Sequence, residues 1–126
     1  MTDVMALDGA PEVVFRDGLA AGELRFQRCR KCSAAVFQPR VLCPVCGSDD
    51  LAWQRSSGRG VVYSTTAVRT REGAHNVALV DLDEGFRMMS RIEGVAADQV
   101  VIGTRVRLAV VEQDGQPVAV FREEAS

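Results

Sequence analysis

The sequence predicts a mainly β protein: a short N-terminal helix, a small cysteine-held ribbon and a C-terminal five-stranded barrel. Three observations carry the prediction. Two CxxC pairs, Cys29/Cys32 and Cys43/Cys46, are separated by ten residues. Beyond a stretch spanning Ser56, Ser57, Gly58 and Gly60, the chain turns into short alternating apolar runs broken by Asp and Gly turn signals. Near the front, PEVVFRDGLAAG opens on Pro11, where a first helical residue needs no N–H, and closes on Gly22.

Residues 1–10 read as a loose tail, and Gly18 inside the helix lowers its propensity. The chain therefore divides into residues 1–22, tail and helix; residues 23–59, ribbon and linker; and residues 60–126, barrel. In the ribbon, LRFQRC and AAVFQPR alternate over a few residues, as short hairpins do, with Pro39 and Pro44 as punctuation. Too few apolar residues remain there for an independent core.

Five strands are read in the barrel, at Val61–Arg69, Val77–Leu82, Phe86–Ile92, Arg105–Gln113 and Pro117–Arg122. Asp83-Glu84-Gly85 and Asp114-Gly115 are hairpin signals; residues 70–76 and 93–104 are longer polar connections, the second with room for one helical turn. In RVRLAVVEQ, Val106, Leu108 and Val110 face one way and Arg105 and Arg107 the other. Five short strands with one longer link after the third suit a small closed barrel of the OB type; an SH3-like barrel also fits this pattern.

A length of 126 residues, 47% hydrophobic and 25% charged, is ordinary for one compact domain or two very small ones, and excludes a large multidomain enzyme. The N-terminus, MTDVMALDGAPEVV, has no basic and apolar leader pattern, and no uncharged apolar run approaches the roughly 20 residues that span a bilayer. A soluble, cytoplasmic protein that uses no membrane is expected. The net charge of −2 is uneven: residues 23–59 carry seven bases against three acids, and residues 60–126 seven against ten.

Disulfides do not persist in a reducing cytosol, where paired CxxC motifs hold metal. Each knuckle turns two sulfurs to one side, and zinc requires that tetrahedron of thiolates. Cys29, Cys32, Cys43 and Cys46 are the expected ligands. Four protein sulfurs leave no open position for water or substrate, so the zinc is structural and no Lewis-acid chemistry follows from it. An iron site of rubredoxin type has the same ligands. Gly47 follows the second knuckle and takes a positive φ freely, whereas Ser33 stands at the equivalent place after the first.

Other candidates for chemistry are thin. No Walker loop, GxGxxG, HExxH or GxSxG occurs. His75, the sole histidine, is read as a solvated residue in the polar loop REGAHN. Asp81, Asp83 and Glu84 end a strand and enter a tight turn, and Met88 and Met89 face opposite sides of one strand, at least one as core filler.

With the knuckles, SGRG, VYSTT, VDLDEGFRMMSRIEG and IGTRVRL in order, the chain resembles the acyl-CoA-associated proteins that join a rubredoxin-like zinc ribbon to a C-terminal OB-fold. The resemblance covers roughly residues 11–121. Two departures are Ser33, in place of the usual glycine, and Phe121-Arg122-Glu123, where a phenylalanine closely followed by proline is common. The resemblance implies a non-catalytic accessory subunit that partners a thiolase-like enzyme, an acyltransferase, a hydratase or a steroid side-chain aldolase in a hetero-oligomer. The catalytic residues then belong to the partner, and a CoA thioester is a shared ligand. Guanidinium groups recognise the phosphates of CoA by bidentate bonds, and 14 of the 15 basic residues are arginine. Lys31, Arg40 and Arg59 are the candidate contacts, Arg59 being flanked by Gly58 and Gly60. A single-stranded nucleic-acid module is the alternative. The barrel opposes it, being net acidic and lysine-free with only Tyr63, Phe86 and Phe121 as aromatics, so no nucleic-acid partner is expected.

Overall fold

Two β-sheets organise the chain in the computed structural model, which describes Val4, Met5 and residues 9–124. They lie in two units, residues 1–57 and residues 58–126.

In the first unit, α1 (Pro11–Ala20) begins at its proline and carries Glu12 in the first turn, where a carboxylate faces the positive end of the helix dipole. Its end is a Schellman turn: Glu23 N–H reaches the Gly18 carbonyl at 2.8 Å and Gly22 N–H reaches Leu19 at 2.9 Å. Gly18 has a packing cause. A Cβ there would lie 2.6 Å from Arg25 Cδ. Arg25 donates to the Val14 carbonyl and to Glu23, both at 3.1 Å, so the glycine that weakens the helix admits the arginine that ties it to the sheet.

That sheet runs in the order β1-β4-β2-β3, with β1 (Val4–Met5), β2 (Arg25–Cys29), β3 (Ala35–Val36) and β4 (Leu51–Arg55), all antiparallel. Leu24, Phe26, Ala52 and Trp53 are buried, more apolar burial than the sequence suggested for this segment, because β4 brings Ala52 and Trp53 in beside β2. Gln27, also buried, clamps the backbone of Arg40, donating to its carbonyl at 2.9 Å and accepting from its N–H at 2.7 Å. The clamp fixes the path from β3 to the second knuckle.

The second unit contains β5 (Arg59–Thr70), β6 (Gly73–Leu82), β7 (Arg87–Ser90), β8 (Ile92–Glu93), β9 (Arg105–Gln113) and β10 (Gln116–Glu123). The order is β7-β6-β5-β9-β10-β8, and β7 runs into β8 through Arg91 alone, so the sheet closes on itself. The closing contact is parallel, Phe121 opposite Ile92. This is the five-stranded OB barrel, its third strand broken into β7 and β8 where it changes neighbour. Val62, Val80, Val106 and Phe121 fill its interior almost without exposure. Gly60 sits where a Cβ would strike the Asp81 carbonyl, which gives the glycine at the barrel entrance a steric reason.

Two expectations change. The connection at residues 70–76 shrinks to a two-residue turn, since β6 starts at Gly73 and pairs with β5 from Thr70 onward. His75 is therefore an exposed strand residue opposite Val68, within 3.4 Å of Thr70 Oγ1. Cross-strand pairing outweighs the poor strand propensity of Gly73, Ala74 and Asn76. Residues 94–104 hold turns, such as Gln99 N–H to the Ala96 carbonyl at 2.9 Å, and no helical turn. Met88 is buried and Met89 is 70% exposed, as strand alternation requires.

Candidate metal centre

The four cysteines converge. Cys29 ends β2, Cys32 follows in the same turn, and Cys43 and Cys46 occupy the loop that leads to β4. Their sulfurs all lie within 4.8 Å of one another, with Cys29–Cys46 at 3.5 Å and Cys32–Cys43 at 3.7 Å. A tetrahedron with Zn–S bonds of about 2.3 Å has edges of about 3.8 Å, so the cluster has the size zinc needs. Cys29 and Cys43 are buried, Cys32 and Cys46 exposed. Val36 and Cys43 pack with Cys29, backed by Ala34 and Leu51.

The backbone builds two matching knuckles. Ser33 N–H returns to the Cys29 carbonyl and Gly47 N–H to the Cys43 carbonyl, both at 2.9 Å. Amides then face sulfur: Val45 N–H lies 3.4 Å from Cys43 Sγ. The N–H groups of Cys46 and Val45 pull the Cys43 thiol down to about 7, and those of Cys32 and Lys31 lower Cys29. Cys32 is also pulled down by the Ala34 N–H, yet lost hydration and the neighbouring sulfurs outweigh it and push it up to about 12. Cys46 rises too: the Ser48 N–H favours its thiolate, but the Cys29 sulfur and lost hydration prevail. Four thiolates in this space repel, and a divalent cation removes the conflict. The residues present therefore fit zinc, and Cys29, Cys32, Cys43 and Cys46 would hold it. It supplies shape, since all four positions are taken by protein.

The three phosphate candidates lie in separate segments of the chain. Lys31 lines an open depression with Cys32, Leu42, Cys46, Gly47 and Ser48. Arg40 is exposed, its backbone held by Gln27. Arg59 starts β5 in the other unit and meets Glu124 at 3.3 Å. Sequence reading missed the Gln27 clamp and the apolar rim of the second knuckle, where Val41 and Val45 are each 72% exposed and Leu42 55%. The apolar run flanking CPVC was its only signal.

Comparison with known proteins places the chain. Residues 16–52 match the model of the ChsH2 rubredoxin-like zinc ribbon domain and residues 53–112 that of the ChsH2 C-terminal OB-fold domain. A chain of the solved structure "Ltp2-ChsH2(DUF35) aldolase" is 30% identical, with a TM-score of 0.80 over 94% of this chain and 98% of that one. This chain belongs to the ChsH2/DUF35 family. Among the proteins it is similar to are two hydratase subunits. One is a probable enoyl-CoA hydratase alpha subunit of Thermomonospora curvata, 36% identical over 79% of this chain. The other is the 3-oxo-4,17-pregnadiene-20-carboxyl-CoA hydratase alpha subunit of Mycobacterium tuberculosis, 34% identical over 78%. The chain spans about a third of the length of each, 33%. A DUF35 domain-containing scaffold protein of Methanocaldococcus jannaschii is 27% identical over 70% of this chain and 69% of its own length. Among the described residues no helix is long and apolar enough to cross a membrane.

Proposed function

We propose that this ChsH2/DUF35 chain is a non-catalytic accessory subunit that docks on a thiolase-fold or related acyl-CoA enzyme, an aldolase or hydratase, and supports CoA binding or assembly of the complex. The observation that carries the reading is its likeness, over nearly the full length of both chains, to a chain of the Ltp2-ChsH2(DUF35) aldolase structure. The naming of other relatives as scaffold proteins and hydratase subunits supports it. The closed cysteine cluster supports it as well: a metal held by four sulfurs offers no site for substrate.

In this reading zinc holds the ribbon rigid, and Lys31, Arg40 and Arg59 meet the phosphates of a CoA thioester shared with the partner. The test is affinity purification of the tagged chain from native lysate, with each captured protein identified by mass spectrometry. An acyl-CoA thiolase, aldolase or hydratase at near-stoichiometric yield, losing activity when the chain is removed, is the expected result. Recovery with nucleic acid, or as a monomer that turns over acyl-CoA alone, overturns it.

A further inference from the structure

Three arginines stand side by side across adjacent strands of the barrel. Arg59 on β5 is directly opposite Arg107 on β9, and Arg107 is directly opposite Arg122 on β10. Residues so paired point to one face with Cβ atoms about 4.5–5.5 Å apart, and like charges there destabilise the sheet. All three are exposed, in a unit with eight basic residues against ten acidic ones. A local cationic row on an acidic barrel asks for a cause.

The nearby carboxylates brace the ends of the row. Glu124 meets Arg59 at 3.3 Å and Arg105 at 3.8 Å. Glu93 meets Arg91 at 2.8 Å and Arg122 at 3.6 Å, and Asp83 holds Arg105 at 2.9 Å. Arg59, Arg91, Arg105 and Arg122 thus each meet at least one of Glu93, Glu124 and Asp83. Arg107, at the centre, has no ion-pair partner among the described residues.

We infer that this row is an oxyanion site centred on Arg107, which takes a phosphorylated small molecule through its phosphate or pyrophosphate. Guanidinium forks offer parallel N–H pairs that match phosphate oxygens, and the row contains no lysine. Two strand spacings give it a width of about 10 Å, room for a pair of phosphate groups. A nucleic-acid backbone would run beyond the row onto the acidic remainder of the barrel. The inference rests on the CoA-holding role for the identity of the ligand, and sets Arg107 and Arg122 beside Arg59 as contacts for its phosphates.

The experiment is titration of the metal-loaded full chain with inorganic pyrophosphate at low salt, followed by 1H–15N spectra that include the arginine Nε signals. Saturable shifts at Arg59, Arg107 and Arg122 are expected, with affinity falling at least about fivefold in Arg107→Gln, less in Arg107→Lys, and not in Arg71→Gln on the exposed β5–β6 turn. Arg122→Gln gives the same reading should Arg107→Gln fold poorly. Absence of saturable binding, or undiminished binding by a folded Arg107→Gln protein, overturns the site. CoA titrated in parallel separates the two proposals. Pyrophosphate binding that needs Arg107, without tighter binding of CoA, keeps the site and removes CoA as its ligand. CoA binding that ignores Arg107→Gln keeps the CoA role and overturns the site.

Discussion

Ser33 and Gly47 occupy the same position in the two knuckles, four residues after the leading cysteine, and share the left-handed backbone, with φ of 65° and 80°. For an L-residue that conformation costs roughly 1–2 kcal/mol, which glycine escapes. Arg28 Nη1 donates to the Ser33 carbonyl at 2.9 Å and holds the turn despite the strain. Ser33→Gly is expected to stabilise the metal-loaded protein by about 0.5–1 kcal/mol, because the relief exceeds the added freedom of glycine in the unfolded chain. Gly47→Ala should cost about 1 kcal/mol or more. Urea midpoints check both, and a neutral Gly47→Ala would show that the second knuckle does not depend on its backbone.

Cys43 anchors the metal cluster from inside: it is 3% exposed, packs with Val36 and accepts from Val45 N–H. Cys43→Ser leaves three thiolates and is expected to release the metal and, under the proposed function, to abolish docking on the partner enzyme. Elemental analysis should find one zinc per wild-type chain and little in the variant; iron in its place would show as visible absorbance. A strong chelator should collapse the ribbon's amide signals before those of the barrel, since the barrel contains no member of the cluster. A variant that docks with wild-type affinity counts against the ribbon as organiser.

Local chemistry made much of this fold legible. The CxxC spacing was enough to anticipate four converging sulfurs, and the Asp-Gly turns set the strand count of the barrel. What stayed hidden depends on contacts between distant residues. Gly18 reads as a helix defect until Arg25 is seen crossing it. The start of β6 at Gly73 comes from pairing with β5 and not from the propensities of His75 and Asn76. The arginine row is a property of register: Arg59, Arg107 and Arg122 lie far apart along the chain, and only the alignment of β5, β9 and β10 makes them neighbours.

Asn76 seals the seam where β7 gives way to β8. It is 7% exposed, its Oδ1 accepts from Ile92 N–H at 2.9 Å, and its Nδ2 donates to Thr65 Oγ1 at 2.8 Å and to the Ala97 carbonyl at 3.2 Å. Removing it leaves buried polar groups without partners, each costing roughly 1–3 kcal/mol. Asn76→Ala is expected to destabilise the barrel by about 2–4 kcal/mol. Hydrogen exchange should show the loss first at Ile92 and the closing β8–β10 pair. A loss below about 0.5 kcal/mol would mean that water replaces the side chain at the seam.

Asp83, in the turn between β6 and β7, grips Arg105 on β9 with both oxygens, at 2.9 and 3.0 Å. The Arg105 hydrogen bonds hold its carboxyl below the ordinary 3.8. The unfolded chain thus binds this proton more readily than the folded one. The pair's contribution is complete above the ordinary value and disappears as pH falls through the lower folded one. The effect is modest, because Asp83 is 44% exposed and salt screens it. The 13Cγ titration of Asp83 should have its midpoint below 3.8 in the wild type and return toward it in Arg105→Gln. Comparing wild type with Asp83→Asn removes the contribution of acid-induced metal loss, which both share. Below about pH 4 the stability gap between them should close, and high salt should narrow it at every pH. A gap that persists unchanged into acid would assign the turn's stability to neutral hydrogen bonding, which asparagine also provides, and not to the charge of Asp83.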